Sequence, residues 1–165
     1  MKVTKIFQWD AAHRLALPYK SKCTNMHGHT YKVEVELEGD LNNEGMVLDF
    51  SQFKGLVAPA NFDHQTINEM EWFKQHDKNP TAENLVLFIK EMLEITRKPF
   101  HPKIRRIRVW ETPNSFAEEI WEDNLHDSLQ LFSENSKKLE QMNTALTNLN
   151  KQVAAQLLKL KKVGR

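Results

Sequence analysis

The chain has 165 residues, 40% of them apolar, which is enough for one modest core with an appendage and too few for two full independent domains. Lysine and arginine number 23 against 22 aspartates and glutamates, a balance that excludes the broad basic surface of a nucleic-acid binder. The single cysteine excludes an internal disulfide, no apolar run approaches the ~18 residues of a membrane span, and Asp10 and His13 interrupt the opening stretch before a secretory leader can form, so a soluble cytoplasmic protein is expected.

Val3 to His13 is rich in β-branched and aromatic residues, has no glycine or proline, and reads as a strand closed by His13. Arg14 to Ser21 contains Pro18 and reads as a loop. It leads into Lys22-Cys23-Thr24-Asn25-Met26-His27-Gly28-His29-Thr30 and then the cleanest alternation in the chain, Tyr31 to Glu38. Side chains alternate faces along a strand, so His27, His29, Tyr31, Val33, Val35 and Leu37 share one face and Thr30, Lys32, Glu34, Glu36 and Glu38 the other. The two strands are expected to pair antiparallel, which brings His13 near His27 and His29.

After a polar turn at Gly39 to Gly45, Asp49 followed by Gln52 resembles a capping box, and Phe53, Leu56 and Val57 form one side of a short helix that Pro59 stops. Asn61 to Asn68 is irregular, and Glu69 to Lys78 reads as a polar loop carrying an exposed aromatic pair, Trp72 and Phe73. Thr81 caps the next helix, with Leu85, Ile89, Met92 and Leu93 as its apolar stripe. Pro99 and Pro102 bracket a turn. Ile104 to Glu111 reads as a third strand with Ile107, Val109 and Glu111 on one face, and Ser115 to Trp121 returns as a fourth. The core is thus expected to be α+β, in the order β-β-α-α-β-β, over residues 1–121.

From Glu122 no glycine or proline occurs until Gly164, and Leu, Gln, Asn and Lys dominate. Residues 122–165 are expected to form a helical, coiled-coil-like extension. Leu139, Met142, Leu146, Leu149, Val153, Leu160 and Val163 follow a three-four spacing interrupted by Gln156, while Leu125, Leu129 and Phe132 fit an earlier phase that slips near Ser133-Glu134-Asn135-Ser136.

A His-x-His step at the mouth of a strand is a two-toothed metal grip, because both rings point the same way without backbone distortion and neutral imidazole suits zinc. It needs a third ligand. Taken alone, His13 reads as a hydrogen-bonded strand-end residue, Asp63-His64 as solvated surface and Cys23 as a small buried hydrophobe, while Glu111 is either a strand-end charge reaching water or a functional carboxylate.

Together, Ala11-Ala12-His13, Cys23 with three residues before His27-Gly28-His29, Gly45 to Phe50, Phe62-Asp63-His64 through Asn68, Asn79-Pro80-Thr81-Ala82-Glu83-Asn84 and Trp110-Glu111-Thr112-Pro113 resemble the 6-pyruvoyltetrahydropterin synthase superfamily, in order and over residues 1 to about 121. The short spacer after Cys23 looks like the bacterial 6-carboxytetrahydropterin synthase branch of the queuosine pathway. The resemblance implies a tunnelling fold whose subunits close their sheets into an oligomeric barrel, a hexamer of two trimers. It implies Zn2+ held by His13, His27 and His29 with the fourth position open, Cys23 as the proton-abstracting base, Asp63 and His64 as a relay supplied by an adjacent subunit, and Glu111 as the anchor of the pterin ring. The substrate implied is 7,8-dihydroneopterin triphosphate, a small-molecule partner. Its implied products are 6-carboxy-5,6,7,8-tetrahydropterin, acetaldehyde and triphosphate, the pyruvoyl-forming lyase is the alternative, and a non-catalytic zinc scaffold with a coiled tail is a third reading.

Overall fold

The structure, a computed structural model, describes residues 1–98, 101–122, 136–147 and 149–150. The chain divides into two compact units, Met1–Trp121 and Glu122–Arg165.

In the first unit, β1 (Lys2–His13), β2 (His27–Glu38), β3 (Lys103–Thr112) and β4 (Ser115–Ile120) form one sheet in the order β1-β2-β3-β4, each neighbour antiparallel. The alternation of β2 sets its inner face: Tyr31, Val33, Val35 and Leu37 are fully buried. Burial of each aliphatic side chain among them is worth about 1.5–3 kcal/mol, and a one-residue slip would turn the whole row to water. The register Val3↔Leu37 to His13↔His27 follows.

On that face lie α1 (Phe50–Val57), α2 (Glu71–Gln75) and α3 (Ala82–Thr96). The Asp49 side chain caps α1 by accepting from the N–H of Ser51 at 2.6 Å and from its hydroxyl, which holds the carboxylate below its ordinary pKa. A short 3-10 turn, Ala58–Ala60, extends the chain past Pro59. Thr81 Oγ1 caps α3 by accepting from the N–H of Asn84 at 3.3 Å, and Leu85, Ile89 and Leu93 are fully buried against the sheet, joined by Val86 and Phe88.

Two readings are corrected. Residues 71–75 are helical rather than loop, and Phe73 is buried, with its ring and that of Trp72 packed on Phe88. Trp72 also donates from Nε1 to Glu91 Oε2 at 2.8 Å, so the aromatic pair faces the protein instead of solvent. Three helices, not two, therefore separate β2 from β3. Ile104 and Ile107 are both buried although three apart, because the register shifts between Leu37↔Ile104 and Glu36↔Arg106 and leaves Arg105 as an extra residue. Of the expected turn at Pro99 and Pro102, Pro99 lies outside the described residues.

The outward edge of β1 is covered along part of its length. Asp10 donates its N–H to Asp63 Oδ1 (2.8 Å) and accepts at its carbonyl from His64 N–H (2.6 Å), and Ala12 donates to the carbonyl of Gln65 (3.0 Å). Even-numbered residues of β1 thus point their backbone away from β2. Among the described residues, nothing bonds the outward backbone of Lys2, Thr4, Ile6 or Gln8.

In the second unit residues 136–147 are helical, with Leu139, Met142, Leu146 and Leu149 all exposed. The expected positions Leu125, Leu129, Phe132, Val153, Leu160 and Val163 lie outside the described residues. Among the described residues, no helix is long and apolar enough to cross a membrane.

Candidate metal centre

Three strands deliver the site. His13 ends β1, His27 and His29 open β2, and Glu111 stands near the end of β3, where the pairing with β4 shifts between Trp110↔Phe116 and Thr112↔Ser115 and leaves Glu111 as the extra residue. A bulge of this kind re-aims a side chain. Gly28, between the two histidines, has its backbone so close to β1 that a Cβ there would stand 3.3 Å from the carbonyl oxygen of Ala11.

The donors of His13, His27, His29 and Glu111 all lie within 4.8 Å of one another. His13 Nε2 stands 3.1 Å from His27 Nε2, and Glu111 Oε1 stands 3.1 Å from His29 Nε2 and 3.6 Å from His13 Nε2. The far nitrogen of two rings meets a backbone carbonyl: His13 Nδ1 lies 2.6 Å from the oxygen of Pro80, and His27 Nδ1 lies 2.8 Å from that of Asn25. A carbonyl only accepts, so both Nδ1 atoms carry a proton, which leaves each Nε2 as the nitrogen open to a metal. At 3.1 Å the two Nε2 atoms can share a proton or ligate one ion together. His29 Nε2 is buried without a hydrogen bond, despite Glu111 Oε1 nearby, which is a second orphaned donor aimed into the same space.

The donor set fits zinc. Ligands on a tetrahedral ion at ~2.0–2.1 Å stand about 3.4 Å from one another, close to the spacings here. Burial lowers the pKa of His13 below its ordinary value, opposed by its bond to Pro80 and by Glu111; burial likewise lowers that of His29, again opposed by Glu111. Neutral imidazole is the ligating form, so the folded environment favours it.

The other expected residues stand outside this group. Cys23 lies half-buried in a 3-10 turn, its N–H on Ser21 Oγ (3.2 Å) and its carbonyl accepting from Leu15 N–H (2.8 Å), and its sulfur is not among the gathered donors. His64 is 81% exposed at its side chain with φ of 56°, a left-handed backbone uncommon for a non-glycine residue, and its Nε2 lies 3.9 Å from Asp63 Oδ2. Asp63 spends its other oxygen on the N–H of Asp10. The sequence thus named every member of the gathered cluster but assigned Glu111 to substrate alone, whereas here it also stands against two of the histidines.

Clefts flank the cluster. One of about 610 Å³ is lined by Gln8, His29, Lys32, Trp110, Glu111 and Thr112, and another of about 500 Å³ by Asp10, Ala12, His29, His64 and Thr66. Both fall in the size range of small-molecule sites. In the larger, Lys32 Nζ sits 3.8 Å from the centre of the Trp110 ring, a cation-π contact that gives the wall a flat aromatic and a positive charge. Sequence reasoning missed this pair because Lys32 and Trp110 meet only through the register of β2 with β3. The carbonyls of Asn25 and Pro80, which orient two ligand rings, have no side-chain signature to be read.

The sequence model of the family described as 6-pyruvoyl tetrahydropterin synthase matches residues 2–121. A putative 6-carboxy-5,6,7,8-tetrahydropterin synthase of Pyrococcus horikoshii is 38% identical over 135 residues, covering 67% of this chain and 84% of the relative. The 6-carboxy-5,6,7,8-tetrahydropterin synthase of Haemophilus influenzae is 36% identical over 140 residues, 71% of this chain and 96% of that one. Among solved structures, the 6-pyruvoyl tetrahydropterin synthase of Caenorhabditis elegans superposes with a TM-score of 0.64 at 25% identity, over 74% of this chain and 96% of its own.

Proposed function

Because the chain belongs to the 6-pyruvoyl tetrahydropterin synthase family, and is with it a lyase of pterin chemistry, we propose that it is a zinc-dependent 6-carboxy-5,6,7,8-tetrahydropterin synthase. It takes 7,8-dihydroneopterin triphosphate and one water to 6-carboxy-5,6,7,8-tetrahydropterin, acetaldehyde and triphosphate, supplying queuosine and related 7-deazaguanine biosynthesis. No external oxidant or reductant is needed, since the ring gains the two electrons that the three side-chain carbons lose together on becoming a carboxylate and acetaldehyde. The observation that carries the reading is the convergence of three Nε2 donors, two of them fixed as lone pairs by backbone carbonyls, beside a bulged carboxylate at a cleft of pterin size.

His13, His27 and His29 would hold the zinc. Bound there, the ion would supply Lewis acidity to the hydroxyls of the substrate side chain. Cys23 takes the proton from the carbon skeleton, general-base help worth ~10²–10⁴ in rate. Asp63 and His64, which stand outside their own chain's gathered donors, relay protons at the site of an adjacent subunit. Glu111 accepts from the amino group and ring N–H of the pterin, a charge-assisted pair that selects the ring.

The assembly we propose is a homo-oligomer, a hexamer of two trimers, in the cytoplasm. Supporting it are the open backbone along the first half of β1 and the outer sheet face, where Arg106 pairs with Glu34 and Glu36 rather than packing on helices. The near-balance of charge gives no basic excess that would argue for nucleic acid as a partner. Self-association through the 139–149 seam would add to the ring.

The pyruvoyl-forming lyase is the second reading, favoured by the likeness to the Caenorhabditis elegans enzyme. The scaffold reading falls with membership of a family of lyases. Incubating zinc-loaded protein with dihydroneopterin triphosphate and trapping volatile aldehyde decides between the two lyases. Acetaldehyde with carboxypterin is expected, and triphosphate with a pyruvoyl product and no aldehyde would overturn the reading.

A further inference from the structure

We propose that Asn79 is a positioning residue of the metal centre: it clamps the backbone of Ala16 to the turn at Pro80, so that the Pro80 carbonyl holds the Nδ1 proton of His13 and turns Nε2 toward the metal. The proposal rests on the metal reading above.

The pairing of β1 with β2 ends at His13↔His27, so the chain beyond His13 has no strand partner. Two asparagines take that place. Asn68 accepts from Arg14 N–H at 2.8 Å and donates to the Arg14 carbonyl at 2.9 Å. Asn79 does the same to Ala16, at 2.7 Å and 2.8 Å. Each side-chain amide thus supplies the donor and acceptor that a neighbouring strand would have supplied, and its orientation is fixed because both ends are used. They extend the row begun on this edge at Asp10 and Ala12.

Asn79 differs from Asn68 in what it is joined to. Its own carbonyl accepts from Asn84 Nδ2 and from Thr81 N–H, each at 2.9 Å, so it is tied on both sides of Pro80. Pro80 is buried, has a fixed φ and has no N–H to compete, and its carbonyl reaches the fully buried His13 ring at 2.6 Å. Partners of this kind, hydrogen-bonded to the ligand's other ring nitrogen, set the tautomer and ring orientation of a ligating histidine. Their loss typically costs about 10–100-fold in metal affinity.

The test compares Asn79→Ala with Asn68→Ala in the full chain, using zinc chloride in competition with a chelator and ¹⁵N-labelled histidine spectra of metal-free and loaded protein. In wild type, His13 is expected as a single Nδ1–H tautomer in both states. In Asn79→Ala, zinc binding is expected to weaken about 10–100-fold and the single tautomer to be lost. Asn68→Ala is expected to lower the melting temperature while leaving zinc affinity within about threefold and the tautomer intact. A folded Asn79→Ala that binds zinc within about threefold of wild type, with His13 still a single Nδ1–H tautomer, overturns the proposal and leaves Asn79 a loop anchor. If Asn79→Ala does not fold, Asn79→Asp, which keeps the acceptor for Ala16 N–H and loses the donor, is judged by the same two readouts. Wild type that takes up no stoichiometric zinc would sink the metal reading, and the metal-free spectra would still decide the role of Asn79.

Discussion

His13 Nε2 and His27 Nε2 face each other at 3.1 Å, and each ring has its other nitrogen committed to a backbone carbonyl. Two strand ends joined through the register His13↔His27 hold the two rings at this spacing.

Replacing both rings that β2 contributes is the direct check on the ligand set. The His27→Ala, His29→Ala double variant should retain its sheet by circular dichroism and lose stoichiometric zinc by metal analysis. Full retention of zinc would remove the two from the assignment.

Acid should weaken the metal-free protein in a defined window. The folded pKa values of His13 and His29 lie below the ordinary value, through burial, while the unfolded chain protonates near ~6.5. As pH falls through that value the unfolded state binds protons first, so stability is full above it, declines below it, and levels once the folded rings also protonate. Melting temperatures of metal-free protein at pH 7.5 and about 5.5 should therefore differ, and His13→Gln should narrow the gap. Identical melting at both would contradict burial of neutral rings.

Cys23→Ala is expected to keep its zinc, since the sulfur is outside the gathered donors, and to lose turnover by about 10²–10⁴. A variant that turned over at the wild-type rate would take the thiol out of the chemistry.

Glu111→Gln exchanges a charged acceptor for a neutral amide. Hydrogen bonds to charged groups are worth about 1.5–3 kcal/mol, so pterin affinity, measured by fluorescence in a Cys23→Ala background that cannot turn over, should fall about 10–150-fold. Zinc stoichiometry should hold. Unchanged pterin binding would leave Glu111 to the metal alone.

Truncation after Trp121 should remove helical signal and lower the order of assembly, because four large apolar side chains along the 139–149 seam stand exposed in the single chain. The sheet unit should still fold. Light scattering that returned the same particle from the truncated and full chains would refute self-association of this segment.

What could be read from the sequence was what depends on period and proximity. The alternation from Tyr31 to Leu37, the His-x-His step and the caps at Asp49 and Thr81 are local, and each stands where expected. Residues 71–75 looked polar because a five-residue helix spans barely more than one turn and shows no period; burial of Phe73 comes from Phe88, fifteen positions on. The extra residue at Arg105 broke the alternation of β3, and only pairing with β2 reveals it. Asn68 and Asn79 bond to backbone 54 and 63 positions away, contacts that no window of sequence contains. Asp63 and His64 were visible as a motif, but within one chain the imidazole points to solvent, so their use depends on what lies opposite.

The half-covered edge of β1 has a consequence for any strand that comes to lie beside it. Among the described residues, the outward backbone groups of Lys2, Thr4, Ile6 and Gln8 have no bond and those from Asp10 onward are filled, so an incoming strand meets an end-stop after about 20–23 Å of track, at ~3.3 Å per residue. It cannot slide further toward His13. A sheet edge open along its whole length would tolerate several alignments, whereas here the track ends at Asp10, three residues short of His13, so a neighbour's alignment would be set beside the histidine cluster.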